Sequence, residues 1–569
     1  MEGQIAAETV KSDEKLRREL STIDLLFLSL GGIIGSGWLF AASGAAVLTG
    51  PSAIISWIIG GIIVLLVALV YAEIGSMLPR SGGIVRYAGY SHGGLAGYMF
   101  GWAYFLSAVS VPAVEAEAVI TYAGTYINSA VPILALTTSS AVLTPVGILF
   151  AALLTLLFFF LNYAGIRIMG KTNTAITWWK LIIPLGTVLA LLAISFHPSN
   201  LSVGGFTPYG LPAMFQAIAL SGIVFSYLGF RQGVDYAGEA RNPQKSVPIA
   251  TVISVVIGML LYVGLQIAFI GSINWAQVGL PPGDWAGFAS ASPTSPAGLV
   301  YAAPFAQVSS LAAIAVLPYL LYADAYVSPS GTLNVYLGTS QRTIYGMGTN
   351  GYLPTRVTKV NEKTGVPVIP LIASFVITLI FFAPFPSWYK LVGFITSSTV
   401  FTYIVGGAAL RVFRQHAGEL NRPFKLPGSK YLSPAAFIGA TLIVYWSGWP
   451  LVGYLAIAIF LGLVVYGIMV GMKWMPNIFT RENFNAGVWV PVYIVVLSFL
   501  SLLGDTSLGG LGVVRFPWDF LVVGVTAFVF YLWSVFAGYR TEDLDTIISS
   551  GIQFVPPEAP YQKGAAGKK

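Results

Sequence analysis

Residues 1–20 mix acids and bases without an apolar core and carry no cleavable signal pattern. The first hydrophobic run begins near Ile23. Runs long enough to span a bilayer, about 20 residues each, then recur near 23–49, 51–78, 94–128, 142–165, 174–196, 211–238 and 246–272. They continue near 303–340, 367–384, 388–411, 433–449, 450–472, 486–504 and 517–538. The pattern predicts an all-α polytopic membrane protein with about fourteen transmembrane crossings. It sets a tail at 1–20 and another at 539–569. The runs 94–128 and 303–340 exceed one straight crossing, so they are expected to tilt, break or extend past the membrane.

Charge fixes the threading. Of 29 lysines and arginines, Lys180 and Arg231 lie inside apolar runs, and Lys390 and Arg515 reach one side. All the others collect on the opposite side, among them Arg80, Arg86, Arg241, Lys245, Arg342, Arg411, Arg422 and the basic residues of both tails. A missed or invented helix would scramble that bias. The positive-inside rule therefore predicts cytoplasmic N- and C-termini in a multi-pass protein of the cell membrane. The same bias accounts for the net charge of +7, so no nucleic-acid partner is expected; membrane lipid is. The triplet Asn200-Leu201-Ser202 falls in a loop on the other side and is a glycosylation candidate.

Composition narrows the class further. The chain of 569 residues is 56% hydrophobic and 9% charged, against roughly 25% charged in soluble proteins. Soluble enzymes, disordered hubs and disulfide scaffolds are excluded. With no cysteine there is no disulfide, thiolate metal site or cysteine nucleophile. No Gly-x-x-x-x-Gly-Lys-[Ser/Thr] loop is present, which argues against a nucleotide-driven pump. His92, His197 and His416 fall in or near loops, and neither enzymatic activity, a cofactor nor a metal is expected.

Interruptions inside the runs carry more information than their number. The first run holds Gly31-Gly32-Ile33-Ile34-Gly35-Ser36-Gly37 at mid-depth. Each glycine disfavours helix by about 1 kcal/mol, so a break is expected there. The sixth run carries Gly229 and Gly233 at a comparable place. The two runs are five crossings apart, an odd number, so a second copy of a five-helix unit enters from the opposite face. Paired, glycine-interrupted segments of this kind point to the midplane site of a secondary transporter, although close helix packing also uses small residues. A broken helix offers free N–H groups to a carboxylate and free carbonyls to an ammonium or sodium ion.

Several ordered motifs resemble the amino acid–polyamine–organocation transporters. They are Leu20-Ser21-Thr22-Ile23-Asp24, Gly32-Ile33-Ile34-Gly35-Ser36-Gly37, Pro79-Arg80-Ser81-Gly82-Gly83 and Glu239-Ala240-Arg241-Asn242-Pro243 with Pro248. Gln341-Arg342-Thr343, Asn350-Gly351-Tyr352-Leu353-Pro354, Val360-Asn361 and Gly365-Val366-Pro367 follow in the family's order. The resemblance implies a five-plus-five inverted-repeat (LeuT-like) fold that works by alternating access, with repeats at 21–200 and 201–415 and accessory crossings 11–14 at 416–538. It places a substrate carboxylate on the N–H groups of Ser36 and Gly37, next to Gly35. The ammonium falls to the carbonyls of Ile33, Phe225 and Leu228, with Phe225 as an aromatic gate. Some relatives have a glutamate where this chain has Arg231, which puts in doubt any scheme that needs that carboxylate.

Ionisable residues inside the runs complete the candidates. Lys180 in the fifth run matches a lysine that, in proton-coupled members, takes the place of a sodium ion bracing crossing 1 against crossing 8; the alternative is a lysine snorkelling to the headgroups. Arg231, Asp235 and Glu239 recur every four residues, which suits either an ion-pair ladder or an inner gate formed by Arg231 and Asp235. Glu115 and Glu117 project about 200° apart on a helix; aligning Tyr122 with the tyrosine that ends this helix in relatives places Glu115 near the substrate. Asp324 and Glu73 are weaker candidates. Two readings stand at this point. The first is a secondary active transporter of amino acids or related amines, coupled to protons through Lys180 in preference to sodium. The second is an exchanger without ion coupling, or a non-transporting sensor or membrane-complex subunit on the same fold. Sequence alone leaves the side chain of the substrate and the oligomeric state open.

Overall fold

The computed structural model describes residues 18–138, 142–292, 294–382, 388–475 and 477–549. Most of the N-terminal tail and the end of the C-terminal tail lie outside these residues, as do the side chains of Arg167 and Lys390.

Every run read from the sequence is helical. The first crossing is Thr22–Ile33 followed by Gly37–Thr49, and the second is Ala53–Met77. Gly83–Ala130, Pro145–Tyr163 and Ile166–Ile194 are crossings 3 to 5. Crossing 6 is divided into Gly210–Leu220, Ile223–Tyr227, a 3-10 turn Leu228–Arg231 and Gln232–Asp235. Pro243–Gly271, Leu317–Thr349, Val368–Phe381 and Trp388–His416 form crossings 7 to 10. The accessory crossings are Ser429–Trp446, Leu451–Gly471, Arg481–Leu503 and Trp518–Ala537.

Among the described residues, nine helical stretches are long and apolar enough to span a membrane, the first (Thr22–Met77) covering crossings 1 and 2. The bent pair in crossing 6 adds another. Leu317–Thr349 is not among these stretches because its interior is polar. No β-strand occurs among the described residues, only three isolated bridges.

Crossings 3 and 10 form the sheltered centre. Their most apolar windows are 94% buried, against 28% for crossings 4 and 14, which leave most of their apolar surface for lipid.

Two boundaries differ from the sequence reading. The eighth run was expected at 303–340, but a separate helix, Pro304–Leu311, precedes a break around Ala313, which has a positive φ of 56°. Crossing 8 then starts at Leu317 with a proline in its first turn and continues to Thr349. Crossing 3 begins at Gly83, earlier than expected, and is kinked at Gly93.

The asparagine of the sequon is held inside the protein. Asn200 is buried, donates from Nδ2 to the carbonyls of Ile270 (3.0 Å) and Ile273 (2.7 Å), and accepts from the Trp275 indole (3.0 Å). Its amide is consumed in tying two loops together and cannot present itself for modification.

The family-like motifs, far apart in sequence, meet at the face that carries the basic loops. Ser21 and Asp24 cap crossing 1 reciprocally. Leu20 exchanges backbone hydrogen bonds with the stretch after crossing 6, to Glu239 (3.0 Å) and from Arg241 (2.9 Å). Gly82 N–H donates to the Asp235 carbonyl (2.8 Å), and Ser81 Oγ to Glu239 Oε1 (3.2 Å). Arg342 grips Glu239 with two N–H groups, at 2.5 and 2.7 Å.

Candidate functional site

Crossing 1 stops being helical at Ile34, whose ψ is 84°, and restarts with Ser36 at the cap position. The glycine-rich stretch therefore breaks where the sequence placed the break. Crossing 6 is different. Its main bend, 42°, falls at Ser221–Gly222, where Gly222 takes φ 97°, and a second irregularity is the 3-10 turn Leu228–Arg231. Gly229 lies in that turn for a steric reason: a Cβ there would stand 2.1 Å from both the Gly32 carbonyl carbon and the Ile33 nitrogen. The two interrupted stretches are thus packed backbone to backbone.

Side chains from five other crossings converge on the crossing 1 break. Ser36 N–H donates to Glu115 Oε2 (2.8 Å) from crossing 3, while Glu115 Oε1 has no hydrogen-bond partner. The Ser36 hydroxyl accepts from the Trp388 indole of crossing 10 (2.7 Å). Tyr262 of crossing 7 donates its hydroxyl to the Ile33 carbonyl (2.7 Å). Lys180 Nζ donates to the Gly31 carbonyl (2.7 Å) and to Thr332 Oγ1 of crossing 8 (2.8 Å). Thr332 in turn donates to Gly31 (2.8 Å). Ser36, Glu115 and Lys180 are fully buried. The peptide groups exposed at the break are thus held by buried protein groups.

Each residue expected at the site can now be located. Ile33, Gly35, Ser36 and Gly37 all lie at the break. Gly35 packs against Thr332 and Glu115, since a Cβ there would come within 2.6 Å of Thr332 Oγ1 and 2.8 Å of Glu115 Oε1. Gly37 faces Ser226 of crossing 6, where a Cβ would meet Ser226 Oγ at 2.2 Å. Phe225 stacks edge-on against Trp388 at 6.0 Å, and Trp388 lies over Phe40 at 4.8 Å. The Phe225 carbonyl accepts its own chain's Leu228 N–H. Glu115 occupies the N–H expected to hold a substrate carboxylate. Lys180 is fully buried between crossings 1 and 8, which removes the snorkelling alternative.

The helix 6 ladder is not what the spacing suggested. Asp235 accepts from the Tyr104 hydroxyl and Glu239 pairs with Arg342, while no ion pair joins Arg231 to Asp235 among the described residues. Arg231 lies instead between the rings of Tyr104 and Tyr336, at 4.6 and 4.8 Å. Glu117 is buried with both carboxylate oxygens lacking hydrogen-bond partners, and Asp324 accepts from Ser328 (2.7 Å). Glu73 is a structural anchor, accepting from Arg414 (2.9 and 2.5 Å) and from Leu426 N–H (2.7 Å). Trp388, Tyr262 and Thr332 escaped sequence reasoning. Their one signal was a polar atom inside an apolar run, which many structural residues share.

The family model described as amino acid permease matches residues 20–499. The chain belongs to the amino acid permease family, within the amino acid–polyamine–organocation superfamily. The permease is 39% identical to the glutamate/serine transporter AimA of Bacillus subtilis (strain 168) over 557 residues, covering 98% of this chain and all of the relative. It is 34% identical to the aspartate-proton symporter of the same organism, over 93% of this chain and 98% of the relative. The branched-chain amino acid permease BcaP, also from that organism, is 26% identical over 80% of this chain. The similarity to AimA extends through the permease's accessory crossings.

Proposed function

We propose that this permease is a proton-coupled transporter of acidic and small neutral amino acids in the cell membrane, with both termini cytoplasmic and no enzymatic activity. It works by alternating access on the five-plus-five inverted repeat. The functions of AimA and the aspartate-proton symporter support the substrate class and the coupling ion. The charge bias supports the orientation.

The observation that carries the reading is the Glu115 carboxylate on Ser36 N–H, at 2.8 Å. It is the protein's own stand-in for a substrate carboxylate. An arriving amino acid competes for the same donor, and two carboxylates in one buried site repel strongly. Taking up a proton on Glu115 relieves that repulsion, so proton and substrate favour one another's binding; by linkage the preference is reciprocal. The ammonium of the substrate then replaces the Tyr262 hydroxyl at the Ile33 carbonyl. Lys180 braces crossings 1 and 8 through Gly31 and Thr332, and proton coupling runs through it together with Glu115.

The test is uptake into proteoliposomes. Labelled glutamate or serine should accumulate under an imposed inside-alkaline gradient and should not respond to sodium. Lys180→Ala should abolish the response to the gradient in protein that still purifies as a folded monodisperse species. Sodium-driven accumulation, or a Lys180→Ala variant with unchanged proton dependence, would contradict the scheme.

A further inference from the structure

We propose that Arg231 is a binding residue for the side-chain carboxylate of acidic substrates, an anion station between the substrate cradle and the basic face that neutral substrates do not use. The inference rests on the transport reading above and names the substrate group this residue serves. Arg231 ends the 3-10 turn Leu228–Arg231 and is fully buried. Its Nη1 donates to Ser107 Oγ (3.2 Å), and its plane is sandwiched by the Tyr104 and Tyr336 rings. Its Nε and Nη2 have no hydrogen-bond partner.

A guanidinium keeps its charge under all ordinary conditions, and buried N–H groups of a charged side chain are costly to leave without hydrogen bonds. The rings offset part of that cost through their faces, but ring faces cannot accept the in-plane N–H bonds. Asp235, the nearest acid along the helix, acts on Arg231 through space without bonding to it, its carboxylate receiving the Tyr104 hydroxyl. Glu239, one turn further, is taken by Arg342. The open Nε–Nη2 edge is the fork that binds a carboxylate through two parallel bonds.

Position identifies which carboxylate. Arg231 lies three residues beyond Leu228, whose carbonyl the family resemblance offers to a substrate ammonium, a rise of about 6 Å in a 3-10 turn. Its partner Ser107 stands eight residues before Glu115 on crossing 3, about 12 Å toward the basic face. We infer that a substrate moving from Ser36 toward the basic face passes the guanidinium. Serine brings no second carboxylate to it; glutamate and aspartate do.

The experiment measures labelled glutamate and labelled serine uptake separately in proteoliposomes bearing wild type, Arg231→Gln or Arg231→Lys. Losing a charge-assisted bidentate contact should lower kcat/KM for glutamate about tenfold or more in Arg231→Gln, with serine changed less than about threefold. Arg231→Lys, which keeps the charge but not the fork, should fall between for glutamate. Serine uptake reports that each variant is folded; should Arg231→Gln fail to assemble, the glutamate-to-serine ratio of Arg231→Lys decides. An equal loss for both substrates, or an unchanged ratio in both variants, would make Arg231 a structural charge held by its rings and would overturn the inference alone. Absence of uptake of either amino acid by wild type would overturn the transport reading and this inference with it.

Discussion

The two interrupted helices solve the same problem in opposite ways. Crossing 1 leaves its broken peptide groups to side chains from elsewhere: Glu115, Lys180, Tyr262, Thr332 and Trp388 arrive from crossings 3, 5, 7, 8 and 10. Crossing 6 satisfies its own. Ser226 N–H and Oγ both donate to the Gly222 carbonyl (2.9 and 2.7 Å), and Leu228 N–H returns to Phe225. A peptide group held by a distant side chain can be released to a ligand when that side chain moves or changes charge. One held by its own turn is released only by unwinding. The contrast makes crossing 1 the exchangeable half of the site and crossing 6 the hinge against which it packs.

The sharpest way to break this picture is at the shared backbone contact. Gly229→Ala would place a methyl 2.1 Å from main-chain atoms of crossing 1 that no rotamer change can clear. Overpacking of this kind costs about 1–3 kcal/mol or more. We expect uptake at background and a lowered Tm in detergent; near-normal transport would mean the two breaks need not touch.

A smaller effect is expected from Trp388→Phe, which keeps the ring stack on Phe40 and Phe225 but removes the indole bond to Ser36. Losing about 1 kcal/mol from the arrangement in which the indole holds Ser36 should tighten apparent substrate affinity about fivefold, read by equilibrium binding. Weaker binding would place the indole on the substrate's side of the balance.

Much of this was legible before any coordinates. The apolar runs, the charge bias and the glycine cluster at 31–37 gave the helices and the crossing 1 break, because each is a local property of the chain. The crossing 6 break was read at Gly229 and Gly233, yet the bend falls at Gly222. Gly229 serves packing across to Gly32, and a glycine has the same letter whichever use it is put to. Spacing alone suggested an Arg231–Asp235–Glu239 ladder, and the tertiary structure gave Asp235 to Tyr104 and Glu239 to Arg342 instead. Lys180 and Glu115 stood out because charge inside an apolar run is rare. Trp388 did not, since a tryptophan beginning a membrane helix is commonplace.

The central claim is that Glu115 holds the place of the substrate carboxylate and yields it by taking a proton. Glu115→Gln tests this most directly, because a glutamine can still accept from Ser36 N–H but cannot carry the proton. In proteoliposomes loaded with unlabelled glutamate or serine, the variant should exchange the labelled amino acid at a rate near wild type, while its gradient-driven accumulation falls about tenfold or more. Accumulation equal to wild type under the same inside-alkaline gradient would contradict the account.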